Sequence, residues 1–303
     1  MSLGIVYAGQ GSQKVGMGQD FYEKFVSVRK FYDHHPDIRD VSFTDEKGLL
    51  NQTMYTQPAM VAFAIAVTDL LQDAGVKPSV TAGLSLGEFS ALYSAGVFDA
   101  ETVMSLIRYR GKIMQESTTD MACSMVAVLG LELDLVKKAV ESVKGIVDIT
   151  NVNCPGQVVI GGEKAAVTAA SAIAKELGAK KCIPLNVSGP FHTRMMSDAG
   201  ELLKKQLDGI KIHDMQMPVV FNVSGDFDGD VKDNLVRQIK SPVQFEQTIR
   251  TMQANGVDTI IEVGPGKVLS GFIKKTAPEI KTLAIETAID FNEVVSKAIS
   301  SEL

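Results

Sequence analysis

The chain is short of the residues that several kinds of chemistry require. Tryptophan is absent, aromatics make up 6% of the chain, and 303 residues include three cysteines and four histidines. Cys123, Cys154 and Cys182 are widely spaced and have no histidine nearby, so neither a disulfide framework nor a zinc site is indicated; the expectation is buried free thiols and no metal. Long apolar runs are missing too. The longest, Met60 to Val67, is too short to span a bilayer, and Met1-Ser2-Leu3-Gly4 lacks the basic n-region of a secretory signal, so no membrane association and a cytoplasmic location are expected. Positive charge is in deficit: the net charge is −6, and scattered Lys and Arg argue against a nucleic-acid surface. Low-complexity linkers and internal repeats are likewise absent. The Gly-rich stretch Tyr7-Ala8-Gly9-Gln10-Gly11-Ser12-Gln13 has neither a Gly-Lys-Ser/Thr ending nor G-x-G-x-x-G spacing, so a nucleotide site there is disfavoured.

What is present is a large apolar fraction, 45%, enough for a substantial core. Short apolar strands recur at Gly4 to Ala8, Val80 to Leu84, Val219 to Val223, Thr259 to Val263 and Thr282 to Ile285, with amphipathic helical stretches between most of them. That alternation predicts an α/β fold with a parallel sheet covered by helices. From Ser124 to Val187 the order changes to strand (Met125 to Leu129), helix (Glu132 to Val143), strand (Val147 to Val152), strand (Val158 to Ile160), helix (Lys164 to Leu177), strand (Lys181 to Val187). This βαββαβ order is that of a ferredoxin-like unit. The predicted organisation is therefore a catalytic α/β domain of residues 1–120 and 189–303, with residues 121–188 inserted as a ferredoxin-like subdomain.

The pentapeptide Gly83-Leu84-Ser85-Leu86-Gly87, followed by Glu88, falls where a strand should hand over to a helix. In such a nucleophile elbow the serine is held in a strained backbone that exposes its hydroxyl, and the flanking glycines let strand and helix approach. The Leu86 N–H and the dipole of the following helix would stabilise an oxyanion. An elbow serine needs a base. His192, after Ser188-Gly189-Pro190-Phe191 and before a helical stretch, is the best placed; His34 and His35 fall in a polar turn before Pro36, and His213 in a connection. Arg110 is conspicuous because it lies within the apolar stripe of Val103, Leu106, Ile107, Ile113 and Met114 on a helix spanning Glu101 to Gln115. An inward guanidinium needs an anion, either an internal carboxylate or one on a ligand. Gln10 follows the first strand, at the strand end where α/β folds place ligands. Gly264-Pro265-Gly266 reads as a tight strand-to-helix turn.

Gly9-Gln10-Gly11-Ser12-Gln13, GLSLGE (83 to 88), Tyr109-Arg110-Gly111-Lys112, Asn153-Cys154-Pro155-Gly156-Gln157, Gly189-Pro190-Phe191-His192 and Glu262-Val263-Gly264-Pro265-Gly266-Lys267 occur in that order. From Ile5 to about Ile285 the chain thereby resembles the malonyl-CoA:acyl carrier protein transacylases of fatty-acid synthesis. The resemblance implies a hydrolase-like α/β domain carrying an inserted ferredoxin-like subdomain. It implies Ser85 as nucleophile, His192 as base, Arg110 as holder of the malonyl carboxylate, and Gln10 with the Leu86 N–H as the oxyanion hole. It further implies that a backbone carbonyl, here that of Gln238, orients the histidine, with Asn153 as a supporting polar group. Phe191, just before the histidine, resembles the malonyl-selecting rather than the methylmalonyl-selecting pattern of related acyltransferase domains. Ala8 and Leu84 depart from the Pro and His common in the family, which bears on elbow packing rather than on chemistry. No permanently bound cofactor is implied; malonyl-CoA and CoA are substrate and product, and acyl carrier protein is the partner. Lys180 with Lys181, and Lys274 with Lys275, could receive it, but a solvated face is the preferred reading of each pair. A serine esterase or thioesterase, or a mere acyl-CoA binding module, are the rivals; an arginine in the acyl pocket has no use in a generic esterase.

Overall fold

The structure is a computed structural model that describes residues 2–299. Its strands in chain order are β1 (Leu3–Tyr7), β2 (Val80–Gly83), β3 (Cys123–Leu129), β4 (Val147–Cys154), β5 (Gln157–Glu163), β6 (Lys181–Pro184), β7 (Val219–Val220), β8 (Thr259–Val263) and β9 (Lys281–Ile285). The chain divides into two compact units.

One unit comprises the chain up to Gly111, Ile210–Val220 and the chain from Arg250. It holds a five-stranded sheet in the order β7-β2-β1-β8-β9, with every neighbouring pair parallel. Parallel strands are joined by helical crossovers that cover both faces, which is why these strands are mostly apolar and do not alternate, β1 wholly so and β8 apart from Thr259 and Glu262. Tyr7, Val6, Ala82 and Ile260 are all fully buried. The helix Thr53–Asp73 links β1 towards β2 and is apolar nearly all round. By length and composition it could cross a bilayer, but 83% of its apolar window is buried inside the protein, as befits a core helix.

The second unit comprises Lys112–Gly209 and Phe221–Ile249. Its four-stranded sheet has the order β4-β5-β3-β6, wholly antiparallel, the arrangement of a ferredoxin-like βαββαβ unit. The helices Leu133–Glu141 and Lys164–Glu176 pack on one face over Val126, Val128, Val147, Val158 and Ile160.

Two strands are shorter than the sequence pattern suggests. β7 ends at Val220 because Phe221 turns away to pair with Asp226, a turn closed by the Gly225 N–H on the Phe221 carbonyl at 2.8 Å. β6, at the edge of its sheet, ends at Pro184, and the Leu185 N–H makes one further bond to the Met125 carbonyl at 2.9 Å. Of the cysteines, all free, only Cys154 is buried; Cys123 and Cys182 are partly exposed, one at the start of β3 and the other on the edge strand β6.

Candidate active site

Ser85 follows β2 and precedes the helix Gly87–Ser94. Its φ of 53° puts a non-glycine residue in the left-handed region, a conformation that costs about 1–3 kcal/mol and persists only where the surroundings impose it. The surroundings here are close main-chain packing. A Cβ on Gly83 would run into the Gly87 carbonyl, and a Cβ on Gly87 into the Tyr7 carbonyl. The Leu84 N–H donates to the Tyr7 carbonyl at 3.0 Å, and the Glu88 N–H to the Ser85 carbonyl at 3.1 Å. With Leu86 at the N-cap, the positive end of the helix lies directly after the serine, its Gly87, Glu88 and Phe89 N–H groups donating to the Leu84, Ser85 and Leu86 carbonyls.

Arg110, on the helix Ala100–Glu116, belongs to the same unit and is 1% exposed. Its Nη2 approaches Ser85 Oγ at 3.4 Å, and its Cζ lies 5.2 Å from the centre of the Phe89 ring. Burial pushes its pKa down to about 10, opposed by the charge of Glu88, itself fully buried. Arg110 is thus cationic at neutral pH. The burial of Glu88 is not legible in the sequence pattern: the residue closes the GLSLGE motif, but only the folded unit brings its charge to bear on Arg110. Gln10 extends from the loop after β1, and its Nε2 donates to Thr53 Oγ1 at 3.0 Å. Thr53 begins the long core helix, and Gly111 lets the Arg110 helix approach there: a Cβ at Gly111 would come within 3.1 Å of the Thr53 carbonyl.

His192 lies in the second unit, 4% exposed, with a φ of 64°. Its Nδ1 is 2.7 Å from the Gln238 carbonyl. A carbonyl only accepts, so Nδ1 carries the proton and Nε2 is the proton-accepting nitrogen. The His192 main-chain N–H donates to the Ile239 carbonyl at 3.0 Å, a second tie to the same segment. Gln238 is fully buried and its Nε2 reaches Asn222 Oδ1 at 3.5 Å. Phe191 is 7% exposed beside the histidine. Asn153, near the end of β4, is buried, and its Oδ1 has no hydrogen-bond partner among the described residues. His35, expected in a polar turn, is instead largely buried, 3.8 Å from Glu101. Among the described residues no group of three His, Cys, Asp or Glu could hold a metal ion.

One unit therefore gathers Ser85, Leu86, Arg110 and the Gln10 loop, and the other gathers His192, Gln238 and Phe191. The first set offers a strained hydroxyl beside a buried cation, and the second an imidazole whose Nδ1–H is fixed on a carbonyl. Such groups suit acyl transfer to and from an anionic acyl donor.

Residues 5–294 match the acyl transferase domain family. The chain is 40% identical over 294 residues to the malonyl CoA-acyl carrier protein transacylase of Bacillus subtilis strain 168, covering 93% of each chain. It is 40% identical over 299 residues to the transacylase of that name from Staphylococcus aureus strain MSSA476, covering 94% of this chain and 96% of that one. Among solved structures, the malonyl CoA-acyl carrier protein transacylase of Clostridium perfringens superposes with a TM-score of 0.95 at 38% identity, over 100% of this chain and 98% of that one. A type II PKS acyl-carrier protein in complex with its malonyl-transacylase gives a TM-score of 0.94 at 35% identity, over 98% and 100%.

Proposed function

The chain belongs to the acyl transferase domain family, and from that premise we propose that this acyltransferase moves malonyl groups from malonyl-CoA to the phosphopantetheine thiol of acyl carrier protein. The transfer is a ping-pong reaction through a malonyl-serine. Ser85 Oγ attacks the thioester carbon while His192 Nε2 takes its proton. The oxyanion is held by the Leu86 N–H and by Gln10, whose side-chain amide also donates to Thr53 Oγ1. Collapse expels CoA as a thiolate, which takes the proton back from His192. The carrier-protein thiol then gives its proton to His192, attacks the malonyl-serine, and Ser85 leaves with that proton. Phe191 would select the malonyl group and Asn153 would support the histidine side. The reaction would run in the cytoplasm and supply fatty-acid chain elongation.

The observation that carries this reading is Arg110. A buried cation 3.4 Å from the serine hydroxyl can receive a carboxylate carried on the acyl group, a contact that a neutral acyl group would not make. The experiment is a transfer assay with malonyl-CoA and holo-carrier protein, following the malonyl group. Malonyl-carrier protein is the expected product; release of free malonate with the carrier protein left unloaded would favour the esterase reading.

A further inference from the structure

The left-handed backbone at His192 has to be imposed by its neighbours, and those neighbours converge on one strand. Two residues on, the Arg194 main-chain N–H donates to Asp148 Oδ2 at 3.0 Å, and Arg194 Nε donates to both carboxylate oxygens at 2.9 and 3.1 Å. Asp148 lies on β4, and its side chain is 16% exposed against 67% for Arg194. The segment after Gln238 is fastened to the same strand: the Val243 N–H donates to the Thr150 carbonyl and the Val152 N–H to the Val243 carbonyl, each at 2.9 Å. Between these fastenings β4 is bulged, with a register shift between Ile149 and Asn151, a device that re-aims a strand locally. The imidazole and the carbonyl it donates to thus hang from one short piece of β4.

We propose that Asp148 is a positioning residue: through the Arg194 main-chain N–H it fixes the His192 ring against the Gln238 carbonyl. This rests on the reading of His192 as the base. The main-chain contact carries the effect, because an ion pair to a largely exposed arginine contributes little, whereas a carboxylate accepting from a main-chain N–H is a stronger, geometrically fixed bond. The charged groups that share a cavity of about 370 Å³ with His192 are Lys137, Glu141, Asp148, Arg194 and Lys240, and substitutions at Asp148 leave the other four in place.

Three variants and one spectrum test this. Asp148→Ala should lower kcat about 10- to 100-fold, the usual cost of a misplaced catalytic group, with KM for malonyl-CoA little changed. Asp148→Asn keeps an acceptor for the N–H and should recover most of that loss. Arg194→Ala keeps the N–H and should cost about threefold or less. In protein labelled with ¹⁵N-histidine, the His192 Nδ1–H resonance, assigned by its loss in His192→Ala, should move in Asp148→Ala and stay in Arg194→Ala. A folded Asp148→Ala protein with that resonance unmoved overturns the proposal, whatever its kcat. If Asp148→Ala does not fold, an Arg194→Ala loss exceeding that of Asp148→Asn overturns it. Retained transfer in His192→Ala would instead remove the base assignment, while the resonance would still report whether Asp148 sets the ring.

Discussion

Arg110 Nη2 stands 3.4 Å from Ser85 Oγ, inside the unit that carries both. An acyl group esterified to Ser85 is built outward from that oxygen, so a carboxylate on a short acyl chain remains within a few ångströms of the guanidinium. Two unit charges 4 Å apart attract by about 4 kcal/mol at the effective dielectric of a protein site. A neutral acyl group of the same length gains none of this.

Arg110→Ala should therefore cost malonyl transfer about 3–5 kcal/mol, the penalty of breaking a buried pair, while acetyl transfer holds or improves. Arg110→Lys should rescue only in part, since an ammonium cannot reproduce the planar fork. The measurement is kcat/KM for malonyl-CoA over acetyl-CoA in wild type and both variants. An unchanged ratio in folded Arg110→Ala would mean that the carboxylate is read elsewhere.

The same preference should depend on pH in a definite direction. Burial lowers the Arg110 pKa to about 10, so the cation is present below that value and lost above it. The malonyl-to-acetyl ratio should be flat through neutrality and fall as pH rises through about 10; a ratio that rose there would contradict the assignment.

Ser85 should be acylated without the carrier protein. Incubation with malonyl-CoA alone should add one malonyl group, located on Ser85 by peptide mass spectrometry, and Ser85→Ala should lose both the adduct and transfer. A fully labelled Ser85→Ala protein would place the nucleophile elsewhere.

His192→Ala should slow acylation by roughly two to four decades, the usual worth of general-base catalysis. Because the group facing Nδ1 is the Gln238 carbonyl, no single Asp→Asn or Glu→Gln substitution, Asp148→Asn included, should match that loss. Stopped-flow release of CoA across a set of carboxylate variants checks this.

The parallel sheet was legible because strands covered on both faces must be largely apolar, as Leu3–Tyr7 is and as Thr259–Val263 is apart from Thr259 and Glu262. The inward direction of Arg110 was legible too, since helical periodicity places it among Val103, Leu106 and Ile107, all fully buried. The elbow could be read because its glycines and serine are contiguous in sequence, although the space that Gly87 leaves is required by Tyr7 on β1. What escaped the sequence are contacts made by residues far apart along the chain with no periodic signature: Gln10 with Thr53, and Asp148 with Arg194. Each is a polar pair whose members look, locally, like ordinary loop or strand residues. The early end of β7 escaped for a similar reason, as Val219 to Val223 is apolar apart from Asn222 and the pairing of Phe221 with Asp226 ends the strand.

The left-handed backbone at Ser85 sets durability against activity at a single position. Glycine adopts that conformation freely, so Ser85→Gly would relieve about 1–3 kcal/mol of strain against about 0.4–1 kcal/mol for the greater freedom it gives the unfolded chain. A selection for heat resistance alone would drift toward glycine there and yield a hardier protein that transfers nothing. The serine is retained at a thermodynamic loss, and the melting temperature of Ser85→Gly against wild type reads out how large that loss is.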